Sequence, residues 1–321
     1  MKIVIFGSGL IGRCWALLFA RAGNTVQLYD KEPAQLNGAL DDIESKLKGL
    51  QSSGLLQGQA VADVLKRIST TTDLDGAITG ADYLQECVPD IVDLKRNVFA
   101  QLDALVEKTG NSKIILASST SVIPASTFTE PLKHRSRCLV AHPINPPHYI
   151  PVVEVVPAPW TSPEVTAETR RILDSIGQAP VVLNCEVEGF LVNRLQFALL
   201  MEGYRLVEAG VCSPADIDTT ISKGLGLRWS FMGPFQTIDL NAPGGVDDYC
   251  KRYNPGVVRV CKDFGETKDP SPETVAAINA AMREEVPFED LAKRREWRDN
   301  RLAALAVHKL QMDQLDKASK Q

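Results

Sequence analysis

The first half of the chain alternates short apolar runs with segments of helical periodicity. Residues 2–6 and 25–29 have the apolar, β-branched character of strands, and residues 11–22 between them have the period of an amphipathic helix. This order predicts βαβ units and a parallel sheet. Further strands are expected at residues 68–71, 83–85, 114–117, 138–141, 150–156 and 180–183.

Helical patterns connect these strands. Residues 33–53 and 59–67 predict two helices with charged faces, more than a minimal crossover needs, so we expect a protruding helical hairpin. Residues 90–106 and 163–175 predict two more helices.

The strand pattern ends at Cys185. Helices are expected at residues 192–208, 214–222, 272–285 and 289–315, and Pro243-Gly244-Gly245 and Pro255-Gly256 predict breaks between them. The sequence thus predicts an α/β fold: a Rossmann-like parallel-sheet domain with a helical hairpin insertion over residues 1–187, followed by an all-α domain over residues 188–321.

Composition narrows the class of protein. A length of 321 residues fits two domains, and 44% hydrophobic and 23% charged residues are ordinary for globular proteins. The net charge is −5 and no basic stripe is present, so we expect neither nucleic acid nor a membrane as a partner. The start of the chain has no leader pattern, no apolar run reaches a membrane span, and the seven cysteines are scattered without metal-ligand spacing. A cytoplasmic protein without a metal site is expected.

The candidate cofactor site is a glycine fingerprint. Gly7-Ser8-Gly9-Leu10-Ile11-Gly12 matches G-x-G-x-x-G and lies between the first strand and the first helix. Gly7 allows the tight turn, Gly9 the approach of a pyrophosphate, and Gly12 close packing of helix on strand. Asp30 follows the second strand, where a carboxylate accepts hydrogen bonds from ribose hydroxyls and repels a 2′-phosphate. The pattern predicts NAD, the alternative being a glycine turn beside a surface aspartate.

His142 and Glu154 form the candidate catalytic pair. His142 directly follows a predicted strand, where open α/β sheets place ligands, and a proline-dense, stiff loop comes after it. Glu154 interrupts an apolar run, where a carboxylate is costly unless it has a partner. The alternative is a buried structural histidine and an edge-strand charge.

Two further polar features remain open between structure and function. Ser118, Ser119, Thr120 and Ser121 place hydroxyls at another strand end, as turn or cap residues also do. Asn193 begins an apolar helix near the domain boundary, which is also a common position for a capping residue.

Several segments together resemble the 3-hydroxyacyl-CoA dehydrogenase superfamily over nearly the whole length, most of all its lambda-crystallin branch, whose mammalian members are L-gulonate 3-dehydrogenases. The resemblance is carried by the glycine fingerprint and by these segments: Gln85-Glu86-Cys87-Val88-Pro89, Ala117-Ser118-Ser119-Thr120-Ser121, Ala141-His142-Pro143-Ile144-Asn145-Pro146-Pro147, Gly189-Phe190-Leu191-Val192-Asn193-Arg194, Gly224-Leu225-Gly226-Leu227-Arg228-Trp229-Ser230-Phe231-Met232-Gly233-Pro234 and Arg294-Arg295-Glu296-Trp297-Arg298-Asp299.

The resemblance implies roles for individual residues. His142 matches the family's catalytic base, which takes a hydroxyl proton as a hydride leaves for NAD, and Glu154 matches its carboxylate partner. Ser121 and Asn193 match residues that hydrogen-bond the reacting oxygen. The positions expected near the nicotinamide half of NAD are Asp90, Lys95 and Asn145. The resemblance also implies a helical second domain that often forms a homodimer, and an active site in the cleft between the domains.

The substrate is the least determined feature. Arg228, just before Met232-Gly233-Pro234, is absent from the acyl-CoA enzymes of the family and is suited to clamp a substrate carboxylate, although a surface salt bridge is the alternative. We therefore expect a free hydroxy acid like L-gulonate.

The alternative is a short-chain 3-hydroxyacyl-CoA such as 3-hydroxybutyryl-CoA, whose phosphates Lys46 and Lys48 could contact. A structural role, as in lens crystallins, and an NADH sensor are the alternatives outside catalysis.

Overall fold

One sheet organises the first part of the chain. The computed structural model describes residues 1–262, 264 and 269–318. The strands of the sheet are β1 (Lys2–Phe6), β2 (Thr25–Tyr29), β3 (Ile68–Thr71), β4 (Tyr83–Glu86), β5 (Ile115–Ser118), β6 (Cys138–Pro143), β7 (Val152–Pro157) and β8 (Ala179–Val182). They lie in the order β3-β2-β1-β4-β5-β6-β7-β8. Neighbouring strands pair in parallel except β6 and β7, which pair antiparallel. The predicted Rossmann-like sheet is confirmed, and each predicted strand end lies within two residues of the observed one.

The strand β1 shows how the sheet is held between two apolar layers. Ile3 and Ile5 belong to one layer, whereas Val4 and Phe6 belong to the other, because successive side chains of a strand point to opposite faces. All four side chains are buried. A strand that is buried on both faces needs apolar residues at every position, which is why the sequence shows continuous apolar runs here.

Helices cover both faces of the sheet and connect its strands. Up to β8 they are α1 (Leu10–Arg21), α2 (Pro33–Leu36), α3 (Ala39–Ser52), α4 (Val61–Leu65), α5 (Leu74–Ile78), α6 (Val92–Thr109), α7 (Ser126–Thr129) and α8 (Pro163–Ser175), with a 3-10 turn at Arg135–Arg137.

The helical hairpin insertion is present as α3 and α4, but it does not protrude. Ile43, Leu47 and Leu50 form an i, i+4, i+7 stripe on α3 that is fully buried in the same apolar layer as α1. The single helix predicted over residues 33–53 is interrupted at Gly38, whose φ of 73° lies in the left-handed region. The chain therefore turns between α2 and α3 and brings the stripe onto the core.

The remainder of the described chain is helical. Its helices are α9 (Val192–Glu208), α10 (Pro214–Thr220), α11 (Gly226–Trp229), α12 (Pro234–Asp239), α13 (Gly245–Lys262), α14 (Pro272–Glu285) and α15 (Leu291–Ala318), with a π turn at Ile221–Leu225 and a 3-10 turn at Phe288–Asp290. None of the helices described is both long enough and apolar enough to cross a lipid bilayer.

The helix α13 differs from the sequence prediction, because Pro255 lies inside it rather than at a break. Val246, Tyr249, Tyr253 and Val257 recur every three or four residues and carry the helical period across the proline. A proline removes one backbone donor and its ring crowds the carbonyl four residues earlier, so a helix with such a stripe continues past it with a local distortion.

By its contacts the chain divides into two compact units: Met1–Asn193 together with the chain from Arg298 onward, and Arg194–Trp297. The sequence placed the boundary near Val187 and assigned the whole last helix to the helical domain. The end of α15 instead groups with the sheet unit, because Ala303 is buried in the same apolar layer as α1.

Ala303 provides a test of this packing. Ala303→Asp places an unpartnered carboxylate in an apolar layer and is expected to lower the free energy of unfolding by about 2–4 kcal/mol, measured by urea denaturation. Ala304→Asp is the matched control, since Ala304 is exposed on the same helix. Equal losses in the two variants would contradict the packing of α15 on the sheet unit.

Candidate active site

The turn between β1 and α1 requires glycine at two positions. A Cβ at Gly12 would lie 1.9 Å from the carbonyl oxygen of Gly7, and Gly7 itself has a φ of 106°. A Cβ at Gly9, by contrast, would meet no atom within 4 Å, so this backbone faces open space. The turn is thus closed on the side of the sheet and open on the side where the fingerprint places a pyrophosphate.

That open space belongs to a groove of about 960 Å³. The lining residues that the sequence had singled out are Gly7, Gly9, Leu10, Ile11, Asp30, Asp90 and Ser121. The backbone N–H and the hydroxyl of Ser8 donate hydrogen bonds of 2.9 and 2.8 Å to Oδ2 of Asp30, which fix its carboxylate at the end of β2. An open glycine turn with a fixed carboxylate about 20 residues further on fits the pyrophosphate and ribose of NAD.

Strand pairing brings His142 and Glu154 together. They are direct partners in the antiparallel ladder of β6 and β7, so their side chains leave the same face of the sheet. Nδ1 of His142 lies 2.8 Å from Oε2 of Glu154, and both residues are at most 5% exposed. The sequence predicted this contact from residue types, and the register explains it.

The start of α9 supplies the other partners of Glu154. The backbone N–H groups of Leu191 and Val192 donate hydrogen bonds of 2.6 and 2.9 Å to Oε1. Burial acts to raise the pKa of Glu154, but the hydrogen bonds from His142, Val192 and Leu191 outweigh it, and the pKa lies below its ordinary value. The carboxylate is therefore ionised at neutral pH.

The charge state of Glu154 fixes the tautomer of His142. An ionised carboxylate can only accept hydrogen bonds, so Nδ1 of the neutral imidazole must carry the proton. The other ring nitrogen, Nε2, is then left with its lone pair. The pair has the arrangement of a histidine that accepts a proton while an acid holds its ring.

Ser121 is held by its backbone from two sides. Its N–H donates a 2.8 Å hydrogen bond to Oδ2 of Asp90, and its carbonyl accepts a 2.7 Å hydrogen bond from Nδ2 of Asn193. The first turn of α9 thus joins the two groups of candidates: Val192 contacts Glu154, and the next residue, Asn193, contacts Ser121.

Lys95 lies behind the groove rather than in it. Its ammonium group is fully buried and lies 3.0 Å from both carboxylate oxygens of Glu86 and 3.3 Å from Oδ1 of Asp90. Ser118 also donates to Glu86. The resemblance placed Lys95 and Asp90 near the nicotinamide; the structure shows that Lys95 anchors Asp90, and that Asp90 alone of the two lines the groove.

Asn145 and Arg228 are the two remaining candidates. Asn145 is exposed in the loop after β6. Arg228 lies on α11 of the second unit, where its side chain is exposed and has no hydrogen bond or ion pair within the described part of the chain. The surface salt bridge considered for it is therefore not seen.

Three residues at the site were not assigned roles from the sequence. Glu86 is a carboxylate inside a buried strand, the same signal that identified Glu154, and it was overlooked. Ser8, the second residue of the fingerprint, showed no distinguishing signal. The ring of Phe190 contacts the His142 ring at a tilt of 55°, with centroids 5.7 Å apart, which no local pattern predicts.

This fold and site define an NAD-dependent dehydrogenase that acts on a CH–OH group. Residues 2–186 match the NAD-binding domain of 3-hydroxyacyl-CoA dehydrogenase, and residues 189–286 match its C-terminal domain. The chain belongs to the 3-hydroxyacyl-CoA dehydrogenase family.

Individual relatives refine the comparison. The chain is 48% identical over 314 residues to lambda-crystallin of Oryctolagus cuniculus, covering 97% of each chain. It is 33% identical over 257 residues to an L-carnitine dehydrogenase of Oceanobacillus iheyensis, covering 80% of this chain and 81% of the relative. A solved structure of 5-formyl-3-hydroxy-2-methylpyridine 4-carboxylic acid 5-dehydrogenase, described as an NAD+-dependent dismutase, has a TM-score of 0.81 and 29% identity, covering 94% of this chain and 96% of that one.

Glu154→Gln tests the carboxylate. The amide keeps the size of the side chain but can present a donor to Nδ1, which reverses the tautomer of His142, so kcat is expected to fall by about 10²- to 10⁴-fold. NADH affinity, measured by fluorescence titration, should stay within about twofold because Glu154 does not line the groove. An unchanged kcat would show that Glu154 has no role in catalysis.

The same variant has a signature in stability. Because the pKa of Glu154 is lowered from 4.5 in the folded state, its ionised form stabilises the fold above about pH 4.5, and this contribution is lost as pH falls through the folded-state pKa. Urea midpoints of wild type and Glu154→Gln should therefore differ above pH 4.5 and converge as pH falls below the folded-state pKa.

Proposed function

We propose that this protein oxidises the hydroxyl group of a free 3-hydroxy acid, of the L-gulonate type, to a ketone. The observation that carries the proposal is the 2.8 Å contact between His142 and Glu154, which leaves Nε2 of a neutral imidazole able to accept a proton. NAD supplies the hydride acceptor when it is bound.

The other candidates complete the chemistry in this proposal. His142 takes the hydroxyl proton, and Glu154 stabilises the imidazolium that results. Ser121, which lines the groove, and Asn193, which is hydrogen-bonded to it, donate hydrogen bonds to the reacting oxygen. Asp90, Lys95 and Asn145 support the nicotinamide end of the cofactor site, with Lys95 acting through Asp90.

Charge on α3 favours a free acid over a CoA thioester. Lys46 and Lys48 were the candidates for CoA phosphates, but Lys46 lies 2.5 Å from Asp42 and Lys48 lies 2.7 Å from Glu44. Each lysine is thus already paired on its own helix and has less to offer a phosphate. L-Carnitine, the substrate named for one group of relatives, is itself a 3-hydroxy acid with a free carboxylate.

We further propose that Arg228 binds the substrate carboxylate. Its guanidinium is exposed and has no partner in the described residues, and a planar fork of donors suits a carboxylate.

We also propose a cytoplasmic homodimer. All seven cysteines are free thiols, which fits a reducing compartment.

The second unit exposes large apolar side chains, among them Phe197, Leu200, Phe231, Phe235, Val257 and Phe288. A surface of this kind is typical of a subunit interface, and the molar mass in solution, measured by light scattering, tests it.

A substrate panel tests the proposed function. Wild type should reduce NAD, and much less NADP, with L-gulonate or a related free 3-hydroxy acid, and His142→Gln should lower kcat by about 10²- to 10⁴-fold with NADH affinity retained. Preference for 3-hydroxybutyryl-CoA would support the thioester alternative. Absence of turnover on the whole panel would support an NADH sensor if NADH binds, and a structural role if it does not.

Arg228→Met tests the carboxylate clamp. Loss of a charged hydrogen-bond pair is expected to raise KM for the hydroxy acid by about 10- to 100-fold, while NADH affinity is kept. Arg228→Lys keeps the charge but not the planar pair of donors, so its KM should lie between those of wild type and Arg228→Met. If KM is the same in all three proteins, Arg228 does not bind the carboxylate.

A further inference from the structure

Two consecutive residues before α9 have left-handed backbone conformations. Gly189 has a φ of 75° and Phe190 a φ of 51°. Glycine adopts this region freely, whereas the Cβ of a bulky residue crowds the backbone there. In the described chain, Gln57 is the one other non-glycine residue with a positive φ, and it lies in an exposed turn. Phe190 is fully buried. Strain in a buried bulky residue persists only where the surroundings fix it, often at functional sites.

The left-handed bend determines where the next two amides point. Immediately after it, the N–H groups of Leu191 and Val192 converge on one oxygen of Glu154, at 2.6 and 2.9 Å. Two consecutive donors can converge in this way because the chain changes direction just before α9 begins. Without the bend, one oxygen of a buried carboxylate would lose both of its partners.

The bend also places the Phe190 ring on the catalytic histidine. The ring packs in the apolar layer behind the sheet and contacts the His142 imidazole at a tilt of 55°. The imidazole is therefore held from two directions, by the Glu154 carboxylate at Nδ1 and by an aromatic ring against its side. This contact restricts rotation of the imidazole and keeps water from it.

We propose that Gly189 and Phe190 are positioning residues for the His142–Glu154 pair, the backbone bend orienting Glu154 and the Phe190 ring orienting His142. The inference rests on the proposed function, since it takes His142 to be the base. Neither residue touches the nucleotide groove, so both act through the pair alone.

Phe190→Leu tests the ring, with Phe128→Leu as its matched control. Phe128 is equally buried, belongs to the same apolar layer and packs on Phe99 rather than on His142. Both variants should lower the melting temperature by similar amounts. Only Phe190→Leu should lower kcat, by about 10- to 100-fold, because a slightly misplaced base reacts more slowly. KM for NAD and NADH affinity should be unchanged in both.

Gly189→Ala tests the bend, with Gly110→Ala as its control. Gly110 has a φ of 67° at the end of α6, close to the 75° of Gly189, so both substitutions meet similar backbone strain. Only Gly189→Ala should lower kcat. It should also raise the pKa of Glu154, measured by NMR titration, because Glu154 loses donors that hold that pKa down. This second variant keeps the inference testable if Phe190→Leu does not fold.

The outcomes separate this inference from the proposed function. If Phe190→Leu and Gly189→Ala match their controls in kcat while His142→Gln is inactive, the positioning role is wrong and the proposed base stands. If His142→Gln retains activity, the proposed function fails first. Selective loss of kcat in both variants, together with a raised pKa of Glu154 in Gly189→Ala, supports the positioning role.

Discussion

A buried carboxylate is the constraint around which the site is organised. Glu154 lies in a strand where water cannot solvate its charge, and a charge in that position is tolerated only with hydrogen-bond donors on each oxygen. One oxygen is satisfied by His142 and the other by two amides at the start of α9. The antiparallel pairing of β6 and β7 and the bend at Gly189 and Phe190 are each needed to bring those donors into place. The orientation of the His142 imidazole follows from its hydrogen bond to this carboxylate.

A second buried charge cluster uses the same principle. Glu86 and Lys95 compensate each other out of contact with solvent, and Lys95 also reaches Asp90 at the edge of the groove. Burial raises the pKa of Glu86 in spite of Lys95 and of hydrogen bonds from Ser118 and Val88, so desolvation still outweighs its partners. Asp90 in turn holds the backbone of Ser121. An ion pair that touches neither groove nor substrate thus fixes one wall of the site.

The sequence predicts the sheet and the contact between His142 and Glu154 because their signals are local. A strand such as β1 is apolar at every position, and a carboxylate inside such a run, as at Glu154, requires a partner that only a few residues could provide. The docking of Ala303 and the tilted contact of Phe190 with His142 depend on residues distant in the chain. No periodicity reports these contacts. The break predicted at Pro255 is wrong for a different reason. Proline is a strong local signal for a helix end, but the apolar stripe of α13 continues the helix past it.

The reversal of direction between β6 and β7 has a consequence for how this protein can change. His142 and Glu154 share a face only in the present strand register, and a shift of one residue would turn either side chain to the other face. The contact between His142 and Glu154 does not depend on the length of the connecting loop, as long as the ladder on either side keeps its alignment. Insertions or deletions within the paired segments are excluded, even where every replaced residue is apolar. This pair is therefore independent of the length of its loop and intolerant of slippage in its strands.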